Sequence, residues 1–118
     1  MLQEALQRAG AEVTSAASAP EALEKLQSLR PDVLVSDIGL PEEDGYELVR
    51  KVRALNAASG GNTPAVALTG YARDQDYKAA MAAGYQEFVA KPVNLEELYS
   101  AILRARESGE KRAVNGER

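Results

Sequence analysis

Three polar residues each close a short apolar run, and together their types would suit a phosphoryl group. Asp37 ends Val33-Leu34-Val35-Ser36-Asp37, Thr69 ends Ala65-Val66-Ala67-Leu68-Thr69, and Lys91 ends Phe88-Val89-Ala90-Lys91 just before Pro92. Unbroken apolar runs of this length read as strands buried on both faces. In an open parallel α/β sheet the C-terminal strand ends share one edge, and ligands bind there. Taken singly, each residue has an ordinary reading. Asp37 could cap a loop, Thr69 could bond local backbone, and Lys91 could be a solvated surface lysine. Three such residues at equivalent strand ends, with Pro92 in register, favour a site.

The rest of the chain supplies elements able to position them. Leu2, Ala5, Leu6 and Ala9 follow helical spacing, with Gly10 as the stop. Glu12 to Ala17 reads as a short, weak strand. Ser18-Ala19-Pro20-Glu21 has capping-box spacing and opens a helix bearing Leu23, Leu26 and Leu29, which Pro31 ends. After the Asp32–Asp37 strand, Pro41 to Gly45 is a loop, and Asp44 with Glu47 offers a second capping pair. The following helix carries Leu48, Val49, Val52 and Leu55, and Asn56 to Asn62 has the composition of a flexible linker. Pro64 to Thr69 is a strand, Asp74 to Ala83 an Ala-rich helix stopped by Gly84, and Tyr85 to Ala90 the last strand. Asn94 caps a final helix with Leu95, Leu98, Ala101 and Ile102 facing inward.

From Glu107 onward the sequence is polar and without periodicity. Residues 1–106 are therefore expected to form one domain, and residues 107–118 a flexible tail. The resulting order is α-βα-βα-βα-βα. Strict alternation with short loops implies an α/β fold with a parallel sheet wound on both faces.

Composition narrows the chemistry further. The chain has 118 residues, enough for one modest core, with 45% hydrophobic and 5% aromatic residues, so that core is aliphatic. It contains no Cys and no His, which excludes disulfides, thiol nucleophiles, an imidazole base and zinc sites built on them. Any metal must be a hard ion on oxygen ligands, such as Mg²⁺. A net charge of −4 and the lack of a basic stripe disfavour direct nucleic-acid binding. No run is long enough to span a membrane and no signal peptide opens the chain, so the cytoplasm is the expected location.

Several segments resemble the receiver domain of bacterial two-component response regulators. They are Asp32-Val33-Leu34-Val35-Ser36-Asp37-Ile38-Gly39-Leu40-Pro41, Asp44-Gly45-Tyr46-Glu47-Leu48, Leu68-Thr69-Gly70 and Phe88-Val89-Ala90-Lys91-Pro92. The likeness covers about residues 1–105, and Asp-Ile-Gly-Leu-Pro looks most like receivers attached to hybrid sensor kinases. The resemblance implies a flavodoxin-like receiver fold with strand order 2-1-3-4-5. It also implies that Asp37 is the phosphoacceptor, attacking a phosphohistidine on a sensor histidine kinase or phosphotransfer protein. Lys91 and Thr69 would then hold phosphoryl oxygens, the Gly39 carbonyl would ligate Mg²⁺, and Phe88 would be the switch aromatic. Lys91-Pro92 is the implied cis peptide. Such a protein is a signalling switch, not a conventional enzyme, with at most Mg²⁺-dependent self-phosphorylation and autodephosphorylation.

Receivers carry an acidic pair, which supplies Mg²⁺ ligands, at the end of their first strand. This sequence opens inside the helix that follows that strand, so the fold is expected to lack its first, central strand. The pair goes with it. Asp37 is then the remaining side-chain carboxylate of the site, and Mg²⁺ is expected to bind weakly or not at all. The strand formed by residues 32–37 gains an open edge, which invites self-association. Glu42, Glu43 and Asp44 read as a solvated loop, not metal ligands. The competing function is a phosphorylation-deficient, receiver-like module that acts by docking. A flavodoxin-like or dinucleotide-binding enzyme ranks last, since no G-x-G-x-x-G or P-loop occurs.

Overall fold

A computed structural model describes residues 2–38, 45–70 and 74–116. Ala65–Thr69 forms strand β2, buried at every position, and the fold is organised around it. Leu34–Asp37 (β1) and Glu87–Ala90 (β3) flank it, both parallel to it, in the order β1-β2-β3. Five helices complete the described residues: Leu2–Arg8 (α1), Ala19–Leu29 (α2), Gly45–Ala54 (α3), Asp74–Ala83 (α4) and Leu95–Gly116 (α5). Strands and helices alternate from β1 onward, so the sheet is parallel and doubly wound, as the sequence predicts.

The alternation of side chains along β2 builds two cores. Ala65 and Ala67 meet Val49 of α3, Ala80 and Ala83 of α4, and Tyr85 on one face. Val66 and Leu68 meet Val89 of β3 and Leu98, Ala101 and Ala105 of α5 on the other, with Leu6 of α1 packed alongside. Small residues on the α3/α4 side let those helices approach closely. A third cluster, Leu26 with Leu48 and Val52, seats α2 on α3. The Tyr99 hydroxyl donates to the Ala5 carbonyl at 3.2 Å and ties α1 to α5.

Local signals act where the sequence places them. Ser18 Oγ accepts the Glu21 N–H at 3.2 Å, and Glu21 returns the contact by accepting the Ala17 N–H at 2.6 Å. Asn94 Oδ1 accepts the Glu97 N–H at 3.0 Å and caps α5. Gly84 ends α4 with φ of +127°, a left-handed conformation that costs glycine little.

Two expectations need correction. Glu12 to Ala17 forms no strand, because among the described residues it has no strand neighbour. Val13 and Thr14 favour β structure, yet a strand forms only as part of a pair. Asn56 to Asn62 is not featureless linker. Asn56 Oδ1 accepts the Ser59 N–H at 2.7 Å and closes a 3₁₀ turn over Ala57–Ser59. Past Glu107, α5 continues to Gly116. Its Glu, Lys, Arg and Ala residues are good helix formers, and elongating an anchored helix avoids the cost of nucleation.

Candidate functional site

The strand register staggers the three candidate residues along one sheet edge. Asp37 lies opposite Leu68, so Thr69 is one step further along β2. Thr69 lies opposite Ala90, so Lys91 is one step beyond β3. The Lys91 N–H donates to the Thr69 carbonyl at 2.7 Å, and the Ile38 N–H donates to the Leu68 carbonyl at 2.9 Å. These bonds carry the ladder to the end of each strand and hold all three residues at the C-terminal edge.

Lys91 Nζ forms a charge-assisted hydrogen bond with Asp37 Oδ2. The Asp37 side chain is 24% exposed and that of Lys91 is 35% exposed. The pair is thus half-sheltered, reachable from solvent yet held in one geometry. Thr69 is buried at 2% exposure, on the end of the most protected strand. The Lys91-Pro92 peptide is cis, as the resemblance implies. Chemically, this edge places a carboxylate beside a fixed positive charge, with a hydroxyl-bearing residue one strand position away.

Phe88 sits two residues before Ala90, half-buried in the core shared by α3 and α4. Its ring meets Tyr77 of α4 edge-on, with centroids 5.7 Å apart and planes at 78°. Tyr77 is 51% exposed, so the aromatic pair reaches from the core to the surface. Gly39, Glu42, Glu43 and Asp44 lie outside the described residues. Among the described residues no group of three or more His, Cys, Asp or Glu comes together. Mg²⁺ requires close to octahedral oxygen coordination. Asp37 offers a carboxylate already engaged by Lys91, so the described donors do not by themselves fit that ion.

Two positioning features escape sequence reasoning. Arg53 of α3 donates to the carbonyls of Gly61 (3.0 Å), Thr63 (2.7 Å) and Gly84 (3.0 and 2.8 Å), and to Gln86 Oε1 (2.9 Å). Gln86 Oε1 also accepts the Ala65 N–H at 2.7 Å. This cluster locks the N-terminal ends of β2 and β3 to α3, across the sheet from Asp37. The second feature is Tyr85, whose buried hydroxyl donates to the Gly45 carbonyl at 2.8 Å. Main-chain carbonyls leave no mark in a sequence, so neither partnership could be read there.

Comparison with known proteins agrees with this geometry. The family model described as the response regulator receiver domain matches residues 1–103. An uncharacterized 14.6 kDa protein of Leptolyngbya boryana is 45% identical over 102 residues, covering 86% of this chain and 76% of that protein. Chemotaxis protein CheY4 of Vibrio cholerae superimposes with a TM-score of 0.79 at 35% identity, over 89% of this chain and 86% of that one. The receiver domain of the Pseudomonas aeruginosa sensor histidine kinase PA1611, solved with magnesium in its active-site cleft, gives a TM-score of 0.74 at 32% identity. That match covers 88% of this chain and 84% of the other. The chain spans about half the length of the curated transcriptional regulators it matches.

Proposed function

This chain belongs to the response regulator receiver domain family, and from that premise we propose that Asp37 accepts a phosphoryl group from a phosphohistidine. The donor would be a sensor histidine kinase or a phosphotransfer protein, and the product an aspartyl phosphate. One observation carries the reading: Lys91 holds Asp37 at the edge of a parallel sheet, one step from Thr69.

The transfer can be followed through this chain's own groups. An Asp37 carboxylate oxygen attacks phosphorus in line, the P–N bond to the donor imidazole breaks, and the nitrogen leaves with the bonding pair and takes up a proton. The transition state carries charge on the equatorial phosphoryl oxygens, so fixed positive charge and positioning supply the catalysis. Lys91 moves from the carboxylate to a phosphoryl oxygen, and the Thr69 hydroxyl donates to another. Phe88, two positions before Ala90 on β3 and packed against Tyr77 of α4, responds to that rearrangement by changing rotamer.

Magnesium is the metal receivers use, and when bound it would neutralise phosphoryl charge. The described donors do not make a complete site for it, so no step above runs through the metal. The chain acts in the cytoplasm, where its donors operate. No described helix is long and apolar enough to cross a membrane.

Among the described residues β1 is an edge strand, and that edge supports self-association as an additional property. The N–H groups of Leu34 and Ile38 are directed at β2, donating to Pro64 and Leu68 carbonyls at 2.8 and 2.9 Å. By the alternation of a parallel ladder, the main-chain groups of Val35 point the other way. Unpaired edges template pairing with another chain. A molecular weight from light scattering that rises with concentration is the expected result, and a constant monomer mass would contradict it. The phosphoacceptor reading is tested by incubation with acetyl phosphate, described at the close of the Discussion.

A further inference from the structure

We propose that Tyr85 is a positioning residue for Asp37, acting through Gly45 and Ile38; the role rests on the phosphoacceptor reading above. Tyr85 is 2% exposed, in the core beneath α3. A buried phenol needs a partner for its hydroxyl. Any acceptor would meet that need, and the one it meets is the carbonyl of Gly45, the first residue of α3. That carbonyl has a second lone pair for the helix, so the two bonds coexist.

Gly45 in turn lies flush against Ile38. A Cβ added at Gly45 would fall 2.5 Å from Ile38 Cγ2 and 3.1 Å from its Cα, too close for any larger residue. Ile38 directly follows Asp37, and its N–H is fixed to Leu68. A continuous line of contacts therefore runs from Tyr85 to Gly45, to Ile38, to the residue bonded to it, Asp37. The start of α3 and the end of β1 are held together at the point where the nucleophile sits. Near-attack geometry tolerates little displacement, and a shift of 1 Å can cost about 10²-fold in rate.

The segment 84–86 also grips the other end of α3, through Arg53 to the Gly84 carbonyl and Gln86. That second grip fixes the helix axis and leaves the Tyr85 bond to set where its N-terminus rests. Tyr85 thus couples the β3 entry to the acceptor strand without touching the acceptor.

The test compares Y85F with T63V in the whole chain. Thr63 is also buried, and its hydroxyl donates to the Gly60 carbonyl at 2.8 Å, just before the N-terminal end of β2 and so at the sheet end opposite Asp37. Both variants lose a buried hydroxyl-to-carbonyl bond, and urea unfolding of each measures its stability cost. Adduct formation is followed by intact mass over a range of acetyl phosphate concentrations, at a temperature where all three proteins are folded by circular dichroism. Y85F is expected to lower the maximal rate constant about three- to tenfold, the worth of one hydrogen bond, with half-saturating donor concentration unchanged. T63V is expected to leave both constants at the native values. Equal rates in Y85F and the native chain, or equal slowing in both variants, would overturn the role of Tyr85. A folded native chain that forms no adduct would overturn the acceptor reading, and this role with it.

Discussion

Lys91 Nζ bonds Asp37 Oδ2 across β2, joining the ends of two strands that are not neighbours in the sheet. The pair bridges the strand whose last residue is Thr69, so the three polar side chains are fixed by one register and one ion pair. Both partners remain partly exposed, which sets how much the contact can contribute to stability.

Lys91→Gln separates the two consequences of that pair. An ion pair this exposed contributes about 0–1 kcal/mol, so the midpoint of urea unfolding should scarcely move. The rate of adduct formation should fall ~10²-fold, the usual loss when one fixed donor to developing charge is removed. A variant that reacts at the native rate would show that Lys91 serves the fold alone.

Arg53→Ala should behave in the opposite way. The substitution removes donors to three carbonyls and to Gln86 Oε1 in a partly buried cluster. Net losses of this kind cost about 1 kcal/mol each and are not additive, so a total of about 2–4 kcal/mol is expected. Urea titration measures it directly. A change below about 0.5 kcal/mol, the level of an ordinary surface substitution, would mean that the cluster is replaced by water without loss.

Glu21 supplies a pH dependence at the start of α2. Its carboxyl is held below the ordinary 4.5, first by the hydrogen bond from the Ala17 N–H and then by Lys25. A carboxyl whose folded value is depressed adds stability above its unfolded value, and that stability disappears as pH falls through the folded one. Glu21→Gln should therefore be less stable than the native chain at neutral pH, with the gap closing as pH drops below 4.5. A gap that stays constant from neutral pH to pH 3, roughly the lower end of the carboxylate range, would remove Glu21 from the account.

Much of this architecture was legible because it depends on local patterns. Val33–Asp37 and Ala65–Thr69 read as buried strands from unbroken apolar runs, and Gly84 and Asn94 marked helix ends through their own backbone preferences. Glu12–Ala17 failed because pairing, not propensity, makes a strand, and no described strand lies beside it. The Asp37, Thr69 and Lys91 constellation was readable because parallel topology brings strand ends together whatever the loops do. Tyr85 and Arg53 were not, since their partners are carbonyls brought near only by folding. Tyr85 lies 40 positions from Gly45 in sequence.

Whether Asp37 is a phosphoacceptor is decided by intact mass spectrometry after incubation with acetyl phosphate. Parallel incubations with Mg²⁺ and with a chelator report how far the reaction depends on the metal. The expected result for an Asp37 acceptor is a mass increase of one phosphoryl group in the native chain, lost on hydroxylamine treatment and absent in Asp37→Asn. A folded native chain whose mass is unchanged under both conditions, or an adduct that persists in Asp37→Asn, would contradict it.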